Sequence, residues 1–332
     1  MTSRRVVAAG IGAHNTRPDE LIPAARAAEA VGFDEIWVAE DSFLTGGIAS
    51  AAVALGATER IRVGLGIMPV YARHPAHLAM DVTAVAGAYP GRFTLGLGSG
   101  VPAWLDQVGI SYPRPKASTR AAASAIRRLL GGETLTEDVE FFFNNVSMEY
   151  PIGDVVQIFV AAMGPQMLEE SGRWADGTVF SMASANPEYV QFALERIAAG
   201  RLASGRKPEE HSTVAIVPFA VDDDPVAARN SLRPWFTHLL RAPGLKTDLM
   251  GISDELRTII ERDPANIGWN IPDEWINAFA VCGTPSDCAR AIDAIFDNGV
   301  DVVSLHPQTG SDFVGQIEAF GRDGLPSMKG RS

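Results

Sequence analysis

An alternation constrains this chain more than any other feature. Short β-branched runs are each followed by an Ala-rich amphipathic segment, and the pair recurs along almost the whole sequence. Strands are expected at residues 6–11, 35–40, 61–68, 93–97, 155–161, 178–181, 213–221 and 300–305. Helices are expected over 18–31, 46–57, 75–88, 118–130, 165–175, 187–199, 225–240 and 285–298. Several of these open with proline and close before glycine, as at Pro18 and Gly32. Repeated βα units mean parallel strands with right-handed crossovers. Eight of them close into a (β/α)8 TIM barrel rather than an open sheet. The strands are apolar on both sides and bounded by glycine, as buried parallel strands are.

Such a barrel takes roughly 250 residues, and the chain has 332. No linker divides it, so residues 1–332 read as one α/β domain carrying insertions. Three segments hold the surplus. Residues 101–116 form a Pro-rich loop. Residues 133–153 contain FFFNN, which predicts a short hairpin. Residues 241–282 hold Trp269 and Trp275 and are open to two readings: a lid, or a helical decoration or dimer contact.

Charge narrows the partners. The 28 Lys and Arg against 40 Asp and Glu leave a net charge of −12. A field of that sign repels polyanions, which argues against nucleic acid and anionic membranes. Cys282 and Cys288 are too few for a disulfide framework or a thiolate zinc site, and they fit a reducing cytoplasm. The apolar residues 6–13 read as a buried first strand rather than a secretion signal. No apolar run approaches the ~20 residues that span a membrane.

In a barrel of this kind ligands meet the C-terminal ends of the strands. That rule selects His14, Glu40-Asp41-Ser42, Gly66-Ile67-Met68, Gly98-Ser99-Gly100, Ala162-Met163-Gly164, Ser181-Met182 and His306-Pro307-Gln308. The set is rich in Gly and Met, and suits a flat, largely apolar ligand. His74 and His77 lack a third metal ligand, so no metal site is expected. No nucleophile elbow or Walker loop is present. The glycines of 96–100 suggest close backbone approach to a ligand rather than a dinucleotide fingerprint. At Ala162-Met163-Gly164-Pro165-Gln166-Met167 a strand ends, glycine turns and proline opens a helix. The N–H groups of Gly164, Gln166 and Met167 would then face the mouth as a phosphate site, or the segment is an ordinary βα turn.

Several blocks together resemble a known family. They are AVGFDEIWVAED (30–41), GLGIMPVYARHP (64–75), PGRFTLGLGSG (90–100), AAMGP (161–165), ADG (175–177), CGTP (282–285) and NGVD (298–301). The chain resembles the bacterial luciferase-like superfamily of flavin and deazaflavin oxidoreductases, and within it the methylenetetrahydromethanopterin reductase-like branch. The resemblance implies coenzyme F420 as cofactor and hydride transfer with a small organic substrate. It also implies a non-prolyl cis peptide at Gly66–Ile67, backing the cofactor ring, and the cofactor phosphate at Gly164-Pro165. The alternative is a two-component monooxygenase using FMN supplied by a flavin reductase. Homodimers are common in the family.

Sugar-phosphate dehydrogenases of the superfamily carry a catalytic histidine where this chain has Asp41, so that activity is not expected. Asp41, Glu40 or His14 would handle the proton instead. Trp104 and Trp275 would cover the substrate. Arg114, Lys116 and Arg120 would meet the polyanionic tail of the coenzyme.

Overall fold

The computed structural model describes residues 5–12, 16–153, 156–180, 184–241, 247–308, 312–328 and 330. The chain runs β1 (Val6–Gly12), α1 (Leu21–Ala30), β2 (Glu35–Ala39), α2 (Gly47–Ala57), β3 (Arg62–Pro69), α3 (Pro75–Ala88) and β4 (Phe93–Gly98). Next come α4 (Pro102–Gln107), α5 (Pro115–Leu130), β5 (Leu135–Asp138), β6 (Phe142–Val146), β7 (Gln157–Ala161), α6 (Pro165–Trp174), β8 (Gly177–Phe180), α7 (Pro187–Ala203) and β9 (Ser212–Val221). The last part holds α8 (Pro225–Leu239), α9 (Ser253–Arg262), α10 (Ile267–Asn270), α11 (Asp273–Phe279), β10 (Val281–Gly283), α12 (Pro285–Asp297), β11 (Val302–Pro307) and α13 (Phe313–Asp323).

Eight parallel strands close on themselves in the order β1-β2-β3-β4-β7-β8-β9-β11, with β11 pairing back to β1. This is the expected TIM barrel, with each expected strand in place to within about two residues. The FFFNN segment forms the antiparallel β5–β6 hairpin outside the barrel.

The insertions carry more regular structure than their sequence suggests. The loop at 101–116 contains α4, and α5 starts at Pro115 rather than at Ser118. Segment 241–282 contains α9, α10 and α11. Trp275 is only 8% exposed and belongs to the main core, so α11 is packed cover rather than a free lid. Trp269 is exposed and lies under the Arg233 guanidinium. A ninth strand, β10, was not expected. Phe219 of β9 takes Pro307 on one side and Val281 on the other. β10 therefore extends the wall on the edge that β8 leaves.

Alternate residues of the strands fill the interior. Val6, Ala8, Trp37, Phe159, Val179, Val214 and Val302 make a cluster separate from the larger core under the helices. Trp37 is the bulkiest member and lies 5.8 Å from Phe159 by ring centroids. A Cβ at Gly64 would come within 2.6 Å of the Trp37 indole, and one at Gly66 within 2.9 Å. These two glycines admit that indole. Its Nε1–H donates to Glu35 Oε2 at 3.0 Å, and Glu35 pairs with Arg62 at the barrel floor.

Candidate active site at the barrel mouth

β3 breaks its register with β4 between Leu65 and Met68, and the Gly66–Ile67 peptide is cis. The strand bulges here and sends Ile67 across to β4. A Cβ on Gly98 would lie 2.1 Å from the Ile67 Cδ1, and one on Gly96 would lie 2.1 Å from the Leu65 carbonyl oxygen. The glycines of β4 are thus required by the neighbouring strand. This corrects the expectation that close approach of a ligand explains them. Gly98 and Met68 are buried, whereas Gly66, Ile67 and Ser99 keep partial exposure at the mouth.

Beyond β2 stand the two acids. Glu40 is half-buried and accepts from the backbone N–H of Gly47 at 2.7 Å, at the N-terminus of α2. That end of a helix favours negative charge. Burial nevertheless pushes the Glu40 carboxyl above its usual range, against the pull of the Gly47 N–H and of Arg73. Arg73 is itself tied to Asp81 at 2.9 Å. Asp41 is half-buried and opens a turn in which Leu44 N–H donates to its carbonyl oxygen. The structure brings both acids to the mouth. His14 lies outside the described residues, as do Ser181 and Met182.

After β7, Ala162 is buried, and the Met163 carbonyl accepts from the buried Tyr189 hydroxyl at 3.3 Å. Pro165 then opens α6, whose N-cap Gly164 provides no side-chain cap. The helices α3, α7, α8, α12 and α13 all have one, from His74, Asn186, Asp224, Thr284 and Asp312. The N–H groups of Gly164, Gln166 and Met167 have no acceptor among the described residues. A Cβ on Gly164 would meet nothing within 4 Å. Three unclaimed donors beside open space are what a phosphate group requires at a helix N-terminus.

The basic trio lies on the neighbouring helix. Arg114, Lys116 and Arg120 are exposed near the start of α5. Arg114 is 3.3 Å from Glu140, and Arg120 is 4.0 Å from Glu170 of α6. In each pair the guanidinium is exposed and only the carboxylate is sheltered, so solvent screens much of the attraction. Trp104 is half-buried on α4, next to the β4 end. No group of three potential metal ligands occurs among the described residues.

One mouth residue received no role from the sequence. His306 on β11 shares its alternation with Val302 and Ser304, so its ring turns into the barrel. It fills the space over Gly10, where a Cβ would lie 2.2 Å from the ring. Strand parity was the available signal for it.

Two histidines, His211 buried and His306 half-buried with its ring turned inward, give the fold an acid limit. Desolvation lowers His306 to about 4. It does the same for His211, at the foot of β9, where Thr178 Oγ1 and the Ala175 carbonyl hold the ring. Their ordinary value is 6.5. An unfolded chain binds both protons before the folded one does. The stability they contribute is complete above about pH 6.5 and is lost as the pH falls toward 4, by up to about 3 kcal/mol for each group. Thermal melts should show a midpoint that drops most steeply across that window. A midpoint level from neutral pH down to 4 would contradict the assignment.

The chain is a closed parallel TIM barrel with acids and uncapped helix donors gathered at its C-terminal rim, the end at which barrels of this kind carry their sites. Residues 3–302 match the family model for luciferase-like monooxygenases. The chain belongs to that family. It is 30% identical to the 5,10-methylenetetrahydromethanopterin reductase of Methanolobus tindarius, over 90% of this chain and 93% of that one. It is 27% identical to the F420-dependent glucose-6-phosphate dehydrogenase of Nakamurella multipartita, over 94% and 93%. Among solved structures, the coenzyme F420-dependent tetrahydromethanopterin reductase from Methanopyrus kandleri superposes with a TM-score of 0.87 at 22% identity. That match covers 98% of this chain and all of the other. No helix among the described residues is long and apolar enough to cross a membrane.

Proposed function

We propose that this protein is a coenzyme F420-dependent oxidoreductase that transfers a hydride between the deazaflavin and a small organic substrate. The observation that carries this reading is the near full-length likeness to a methylenetetrahydromethanopterin reductase and to an F420-dependent dehydrogenase. The mouth fits the coenzyme. Gly164, Gln166 and Met167 would hold its phosphate through their free N–H groups. Gly66, Ile67 and Met68 of the bulge, with Gly98, Ser99, Ala162, Met163 and Pro165, would line the ring and its linker. Arg114, Lys116 and Arg120 would screen the anionic tail, a local exception in an acidic chain.

When bound, the deazaflavin supplies the hydride chemistry. The protein excludes water and manages one proton. Glu40 is the favoured proton carrier, because burial keeps its carboxyl protonated at a higher pH than an ordinary glutamate. Asp41 stands beside it as a hydrogen-bonding partner for substrate, and His14 remains a third candidate. Trp104 would close over the substrate. Both cysteines are free thiols, which supports a reducing compartment, the cytoplasm. The exposed Phe43, Leu44, Val53 and Met80 on and beside α2 and α3 support a homodimer.

The test is an anaerobic assay with F420 following its absorbance. Reduced F420 with methylenetetrahydromethanopterin, or with other unsaturated organic acceptors, should be oxidised. Glucose 6-phosphate with oxidised F420 should react far more slowly, because Asp41 occupies the place of a histidine. Preferential oxidation of glucose 6-phosphate would overturn this reading of the site.

A further inference from the structure

The barrel wall away from the β3 bulge carries a group that the proposed proton transfer does not use. His306 lies on β11, three strands round the eight-stranded wall from β3. Its Nε2 is 3.0 Å from the Ser304 hydroxyl. Ser304 is fully buried, and this is the only partner of its side chain among the described residues. A buried hydroxyl must donate its hydrogen somewhere. Nε2 is the one acceptor offered, so Nε2 accepts and the ring proton resides on Nδ1. Nδ1 itself has no partner among the described residues. Burial keeps the ring uncharged down to about pH 4. The ring cannot swing toward β1, since it already rests on Gly10.

The strand ends reinforce this. The described residues that close β1, β2, β3, β4, β7, β8, β9 and β11 include no Lys or Arg, while Glu40 and Asp41 follow β2 directly. A phosphorylated substrate would meet those acids, and Arg73, the cation that acts on Glu40, is already tied to Asp81. An uncharged molecule with a hydrogen-bond acceptor would find a fixed N–H.

We propose that His306 is a substrate-recognition residue whose Nδ1–H donates to an uncharged acceptor atom, a carbonyl oxygen or an imine nitrogen. It selects neutral carbonyl- or imine-bearing molecules over phosphorylated ones, and Ser304 is the positioning residue that fixes its tautomer. The inference rests on the F420 reading of the mouth for the place of the substrate, though not for the state of the ring.

Two measurements test it. Nitrogen-labelled histidine in the intact protein, with the His306 resonance assigned by its loss in His306→Gln, reports the ring directly. The neutral Nδ1–H tautomer is expected from about pH 6 to 8, whereas an Nε2–H or cationic ring would overturn the proposal. The second measurement is turnover by F420-loaded protein on a panel of uncharged ketones and cyclic imines, with sugar phosphates for comparison. His306→Gln retains an N–H donor and should keep KM within about three-fold, while His306→Leu should raise it about ten-fold or more at an unchanged F420 dissociation constant. An unchanged KM in His306→Leu would overturn the proposal. So would no turnover of the uncharged panel, or faster turnover of a sugar phosphate. Failure of the wild-type protein to bind F420 would sink the cofactor reading instead, and the tautomer signal would still decide the state of His306.

Discussion

Replacing Gly96 with alanine is expected to destabilise the protein by about 3 kcal/mol or more. The added methyl would sit 2.1 Å from the Leu65 carbonyl oxygen and 3.1 Å from the Ile67 Cγ2. The first of these is backbone, so no rotamer change relieves the overlap. Leu65 is the last residue of β3 in regular register with β4 before the bulge. Relief therefore requires β3 and β4 to move apart where they shape the mouth. Loss of stability and loss of cofactor affinity should appear together. Denaturant unfolding of Gly96→Ala beside Gly164→Ala makes the comparison. The second change points into open space at a negative φ and should stay within about 0.5 kcal/mol of the parent. A Gly96→Ala protein as stable as that control would contradict the packing described for β3.

The second large effect concerns the proton. Glu40→Gln preserves size and an oxygen that can accept from Gly47 N–H, but removes the ionisable proton. Its kcat for substrate reduction should fall on the order of a hundred-fold, with F420 affinity unchanged. The pH profile gives a sharper reading. Reduction consumes a proton, so the protonated carboxyl is the active form. The wild-type rate should decline as pH rises through the elevated Glu40 titration, and Glu40→Gln should lose that limb. Asp41→Asn should lower the rate less. If Asp41→Asn shows the larger loss and removes the pH limb, the two acids exchange roles.

The barrel was legible because it is written in local terms. Each strand is a short apolar run, and several helices carry their own proline start or glycine stop. The β5–β6 hairpin was legible for the same reason. What escaped was structure specified by contact. β10 has three residues, too few for any alternation, and exists because β9 outruns β8. The packing of α11 and Trp275 depends on distant core residues, so a tryptophan-bearing insertion could not be told from a lid.

The mouth glycines teach the same lesson at the site. Their number suggested a ligand pressed against backbone, but Gly64 and Gly66 admit Trp37, Gly98 admits Ile67, and Gly10 admits His306. Glu40 and Asp41 could be placed from the end of β2 alone. The unclaimed N–H groups of α6 could be placed from Gly164-Pro165. The end of β11 also placed His306, but giving it a role required knowledge of which way β11 turns its odd and even residues.

The central claim is that this mouth is built for a deazaflavin. Equilibrium titration of the purified protein with F420 and with FMN, followed by quenching of its tryptophan fluorescence, tests it most directly. The account predicts saturable binding of F420 in the micromolar range or tighter and no saturation by FMN over the same range. Tight binding of FMN with none of F420 would contradict it, and would move the protein to the flavin-using monooxygenases served by a separate reductase.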